Sequence, residues 1–206
     1  MIDYELFNLR ESFSRLFVLA VNNKMHLKAF TKALCRSNFI NLIQKNRYDE
    51  MYDYPLETLF FQITGYKVKD DSYGIYNDAY WCGQNYFDLF FNVKKCFEFI
   101  FLKLPFEKML DLYSIYHEMD FSSLLEYFNK IDKESTILRL LCINDHCSLN
   151  DLSIATGISL NTLKKYNSSD ELLYKASFSN IAKIIKYFDV SHLLFVKNIM
   201  DGETNI

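Results

Sequence analysis

The chain is predicted to be all-α, an N-terminal helical bundle domain followed by a smaller helix-turn-helix domain. Three observations carry this. Only 5 glycines and 2 prolines occur in 206 residues, which leaves few helix breaks and favours short connections. Apolar residues recur at helical spacing, most clearly over 4–22, where Leu6, Phe7, Leu9, Phe13, Leu16, Phe17 and Leu19 fall near one face. The run Ser148 to Asn167, SLNDLSIATGISLNTLKKYN, reads as helix, tight turn, helix.

The elements follow in order. After the first helix, helices are expected from His26 to Cys35 and from Asn38 to Gln44. Tyr48 to Tyr54 is a Tyr- and Asp-rich connection, and Pro55 suits the first turn of a helix from Leu56 to Ile63. Gly65 to Gly74 is a long loop with room for a short hairpin. Helical character resumes at Ile75 and leads through Trp81-Cys82-Gly83 into KKCFEFIFLKL, with Gly83 permitting a close helix approach. Pro105 opens a helix over Phe106 to Met119, and another covers Phe121 to Ile131. The charged run Lys130 to Ser135 marks a boundary, with Ser135 placed to cap the next helix. Residues 1–133 then form an aromatic-rich domain, 134–199 the helix-turn-helix domain and 200–206 a tail.

Within the helix-turn-helix, Ser148 is positioned as an N-cap ahead of Asp151-Leu152-Ser153-Ile154-Ala155. Gly157 stands where the chain leaves that helix and is expected at positive φ. Ile158 fills the angle between the helices, Ser159 caps the second, and Leu163 anchors it. The expected core of the domain is Leu152, Ala155, Ile158, Leu163, Ile181, Ile184 and Phe188. The positions Ser148, Leu152, Gly157, Ile158, Ser159 and Leu163 resemble, without a gap, the lambda-repressor/Cro-like (XRE-type) helix-turn-helix. Thr136 to Asn144 resembles that family's first helix, and Ser177 to Phe195 its closing helices, with Asp189-Val190-Ser191 where Gly-Val-Ser is usual. The resemblance implies a lambda-repressor-like domain that presents its second helix to the DNA major groove. It implies DNA contacts from Ser159, Leu160, Asn161, Thr162, Lys164 and Lys165.

Two departures bear on that activity. Leu149 replaces a Gln common in the family, and Ser168 to Ala176 is a longer connection containing Asp170 and Glu171. From Glu134 to Ile199 the basic residues exceed the acidic ones by one, so phosphate contacts, which dominate DNA affinity, are few.

The formal net charge of −3 argues against non-specific coating of nucleic acid or acidic membranes. No secretory leader is read at Met1. The apolar run Phe87 to Leu104 is interrupted by Asp88, Lys94, Lys95, Glu98 and Lys103, against a membrane span. Five cysteines without CxxC spacing are expected to be reduced thiols of a cytoplasmic protein. His117-Glu118 are adjacent and diverge on a helix, and Phe121 replaces the second His of HExxH. Cys142, His146 and Cys147 lack a second ligand pair for zinc. No phosphate loop or nucleophile elbow occurs, so no catalytic residue, metal or cofactor is assigned and no enzyme activity is expected.

Phe13 to Asn38, Tyr48-Asp49 and Trp81-Cys82-Gly83-Gln84-x-Tyr86 resemble uncharacterised helical proteins of mobile elements and toxin–antitoxin loci. Two functions compete. One is a DNA-binding transcriptional regulator of a phage or mobile element, a homodimer on double-stranded operator DNA. The other is an antitoxin, anti-CRISPR or other anti-defence inhibitor that binds a foreign protein through residues 1–133 and keeps the helix-turn-helix for autoregulation or scaffolding. The 17% aromatic content is expected to exceed what the first domain hides and so to leave a partner surface.

Overall fold

A computed structural model describes residues 2–48, 55–69 and 78–196. Among the described residues there are 13 α-helices and no strand. The most extensive helix pair is α1 (Ile2–Asn22) against α5 (Asp78–Val93). Their contact requires a glycine: a Cβ on Gly83 would stand 2.5 Å from the Ser14 Cα. Ser14 is fully buried and its hydroxyl turns back to donate to Arg10 O at 2.6 Å. At the rim Arg10 grips Asp88 with two bonds of 2.9 and 2.6 Å, and Tyr80 donates to Glu11. Gly83→Ala is expected to destabilise the fold by about 1–3 kcal/mol, because a backbone atom must move to admit the methyl group. That outweighs the gain of up to about 1 kcal/mol in helix propensity. Thermal unfolding tests it, and a stabilised variant would mean that the two helices separate freely.

Helices α2 (Leu27–Arg36), α3 (Asn38–Gln44) and α4 (Leu56–Thr64) flank this pair. Ser37 caps α3 by accepting from Ile40 N–H at 3.2 Å. Pro55 occupies the N-cap of α4 rather than its first turn, and Gly65 ends α4 at φ +69°. Residues 49–54 of the Tyr-rich connection, 70–74 of the expected loop and 75–77 of the expected helix lie outside the described residues. The helix expected to run from α5 into KKCFEFIFLKL is broken: Lys94 turns to φ +53°, and α6 (Phe97–Lys103) starts afresh. All of α6 except Glu98 is buried, the signature of a helix surrounded by others. The next helix, α7 (Phe106–Tyr116), stops earlier than expected, where His117 closes it by contacting Tyr113 O through Nδ1 at 2.8 Å.

The aromatic residues fill this core. Phe17 packs against Phe13, Phe30, Tyr86 and Phe106 at ring separations of 5.2, 5.2, 5.5 and 4.8 Å. Phe90 stacks on Phe97 at 4.4 Å. The buried Tyr86 hydroxyl donates to Leu104 O at 2.8 Å, which removes the cost of burying it. Of the phenylalanines, only Phe7, Phe61 and Phe178 are exposed among the described residues. Most of the described phenylalanines are therefore core, while Tyr4, Tyr66 and Tyr187 stand with Phe7 and Phe61 among the exposed aromatic residues. Many short helices converge on α6, and edge-to-face rings use the space between them.

The charged run read as a boundary is helical. It ends α8 (Phe121–Glu134), and α9 (Ile137–Asn144) begins two residues later. Ser135 does not cap α9. Thr136 does, accepting from Arg139 N–H at 3.4 Å while its hydroxyl donates to Asn167 O at 3.0 Å. Then come α10 (Leu149–Thr156), α11 (Leu160–Ser168), α12 (Asp170–Tyr174), α13 (Phe178–Phe188) and a 3₁₀ turn at His192–Phe195. Buried residues from both segments form one continuous core. No helix among the described residues is long and apolar enough to cross a membrane.

Candidate nucleic-acid interface

The geometry of α10 and α11 is set by local polar chemistry. Ser148 N–H donates to Asp151 Oδ2 at 2.9 Å, and Asp151 N–H donates to Ser148 Oγ at 3.2 Å, a reciprocal cap. The Ser148 hydroxyl, also donating to Asp151 at 2.6 Å, holds that carboxyl below its usual pKa, helped by the Ser148 N–H. Gly157 leaves α10 at φ +67°. Two side chains tie the turn: Thr156 Oγ1 accepts from Ile158 N–H at 3.3 Å, and Ser153 Oγ donates to Ile158 O at 2.7 Å. Ile158 is buried between the helices and Leu163 is fully buried beneath α11.

These contacts fix which residues of α11 face outward. Asn161, Lys164 and Lys165 are exposed, and their spacing of three and four places them on one helix face. The Asn161 carboxamide makes no hydrogen bond, and neither lysine has an acidic partner, among the described residues. Ser159 is exposed but engaged: its Oγ accepts from Thr162 N–H at 3.2 Å and pairs with Thr162 Oγ1 at 2.8 Å. Thr162 and Leu160 are half-buried. Of the six expected residues, Asn161, Lys164 and Lys165 share one exposed face and are uncommitted, while Ser159, Leu160 and Thr162 lie nearer the buried Leu163. Tyr166 braces the opposite side, its hydroxyl accepting from Asn180 Nδ2 at 3.0 Å.

Ala155 is a correction to the expected core. It is exposed, as is its neighbour Ile154 at 83%. α10 touches the core through Leu152, and the next position on that face is Thr156, which closes the turn. Ile181 is only half-buried.

The acidic residues that lower the charge of this segment have a different role from the one their sequence position implies. Asp170 does not face solvent beside α11. Its Oδ1 accepts from Ile137 N–H at 2.7 Å, and its Oδ2 lies 3.4 Å from Lys103 Nζ. Burial raises the Asp170 pKa and outweighs the lowering by Ile137 N–H and by Lys103. The Lys103 side chain is 1% exposed. Its ammonium contacts Asp132 O at 3.0 Å, Asp132 Oδ1 at 2.8 Å and Ser135 O, so it serves carbonyls at the end of α8 that the helix itself leaves unpaired. Asp189 takes φ +53° at the end of α13, where glycine is the cheaper residue. It is held by Arg36 and by Lys32 at 3.2 Å, and the Arg36 bond keeps its carboxyl below the usual pKa. Nearby, Glu98 accepts from Ser191 N–H at 2.8 Å.

Sequence reasoning missed this seam. Lys103 reads there only as a charge that interrupts an apolar run, and the longer Ser168 to Ala176 connection as a departure from the family. In the structure that connection forms α12, which carries Asp170 to Lys103 and Tyr174 to within 3.2 Å of Lys95 Nζ. A lysine beside the apolar run Phe99 to Leu102 was the available signal.

No group of three His, Cys, Asp or Glu side chains suited to a metal ion occurs among the described residues. Compared with family models, curated proteins and solved structures, the chain has no match.

Proposed function

We propose that the chain is a DNA-binding transcriptional regulator of a phage or mobile element, with α11 as the helix that enters the major groove. The observation that supports this reading is the outward face of α11, where Asn161, Lys164 and Lys165 are exposed and uncommitted. Asn161 is the base reader, since a carboxamide pairs bidentately with adenine for about 1–3 kcal/mol of discrimination. Lys164 and Lys165 contact phosphate or guanine. Asp170 pairs with Lys103, and Asp189 with Lys32 and Arg36.

The working form on this reading is a homodimer on double-stranded DNA, because two modules make twice the phosphate contacts of one. The test is a gel shift with the gene's own upstream DNA across a salt series. Lys164→Ala/Lys165→Ala is expected to weaken binding and to reduce the log–log salt slope by about 1.8, from two lost phosphate contacts. An unchanged affinity and slope would reject α11 as the interface. Binding of one monomer per operator would reject the dimer and favour the protein-binding inhibitor, for which the exposed Tyr4 and Phe7 of α1 are the available surface.

A further inference from the structure

We propose that Cys142 and Cys147 are a reversible disulfide pair built into the reversal between α9 and α10. This goes beyond the DNA-binding reading and does not rest on it. α9 ends in a Schellman motif: Cys147 N–H donates to Cys142 O at 3.0 Å, and His146 N–H donates to Ile143 O at 3.2 Å. His146 supplies the left-handed residue at φ +51°. In this motif the third residue from the helix end and the second residue beyond the cap face each other across the turn, and their side chains commonly touch. Here both are cysteines. Both thiols are free, and Cys147 is near enough to Cys142 to act on its titration. A backbone hydrogen bond between two residues keeps their Cα atoms within the span of about 4.4–6.8 Å that a disulfide bridges.

The two thiols have unequal surroundings. Cys142 is buried, and burial together with the neighbouring Cys147 pushes its thiol up to about 12. Cys147 is only half-buried. Cys147 is therefore the thiol that reacts first. Its thiolate attacks a small-molecule disulfide such as oxidised glutathione, forming a mixed disulfide and releasing one glutathione thiolate. Cys142 then gives up its proton to solvent and attacks the Cys147 sulfur. The protein disulfide forms and the second glutathione thiolate leaves. Two protein thiols are oxidised and one glutathione disulfide is reduced. The low thiolate fraction of Cys142 is offset by its fixed position against the sulfur it attacks. The bond covalently closes the turn that leads into Ser148, the N-cap of α10.

The experiment incubates the full chain with oxidised glutathione, blocks remaining thiols with N-ethylmaleimide and maps the peptides by mass. The expected product is a cross-linked Cys142–Cys147 peptide, lighter by two hydrogens and restored by dithiothreitol. Cys142→Ser is expected to accumulate glutathione on Cys147, and Cys147→Ser to leave Cys142 reduced over the same period. A native chain that retains glutathione on Cys147 without the cross-link, or in which neither thiol is oxidised, overturns the proposal.

Discussion

Replacing Lys103 with Met is expected to destabilise the protein by about 3–5 kcal/mol, the cost of removing one partner from a buried charge pair. Met keeps most of the stem volume, so the loss reports the ammonium. Without it, the Ser135 carbonyl and both oxygens contributed by Asp132 lose a donor, and the Asp170 carboxylate keeps its burial but not its cation. Asp132 is 37% exposed on its side chain, and water compensates part of its loss, which favours the lower end of the range. Urea denaturation measures the effect. Adding Asp170→Asn to the Lys103→Met variant is expected to recover part of it, since the uncompensated charge is then removed. A cost below about 1 kcal/mol would mean that solvent reaches the seam and that the network does not hold the two segments together.

Leu163→Ala is expected to cost about 2–5 kcal/mol, the range for emptying a leucine-sized packed site. Leu163 is fully buried under α11, between the polar cap at Ser159 and the brace from Tyr166 to Asn180. The half-buried Leu160 on the same helix is the comparison: truncating it removes less area from the core and should cost less. The two measurements separate the anchor of α11 from its outer face. Equal effects would indicate that α11 is held by its caps and not by its core contact.

The helices α10 and α11 and the turn between them were legible because their determinants are local. Ser148 with Asp151, and Ser159 with Thr162, are side-chain-to-backbone contacts three residues apart, and Gly157 is a conformational requirement of a single residue. The same holds for the apolar face of α1. Ala155 was misread because a small residue three positions after Leu152 carries no information about how narrow a face α10 buries. The break at Lys94 was missed for a related reason. Lysine at positive φ has no sequence signature, and the surrounding core contacts impose it against the intrinsic preference of the residue.

The seam between the segments was illegible from sequence. Lys103 meets residues 29, 32 and 67 positions away, and Arg36 meets Asp189 across 153. The candidate site inherits this. Sequence placed Asn161, Lys164 and Lys165 on one face of α11, but not the removal of Asp170 from that surface into a pocket with Lys103.

By itself, then, the sequence determined the helical class, the caps of α10 and α11 with the turn between them, and the exposed face of Asn161, Lys164 and Lys165. Periodicity and capping act over a few residues and are written where they act. Only the tertiary structure decided that most of the described phenylalanines are core, that Gly83 is where the Ser14 backbone passes, and that acidic residues near α11 are answered by cations of the N-terminal helices. Each depends on which distant groups share a low-dielectric space, and burial and electrostatic pairing are properties of that space and not of the chain segment that enters it.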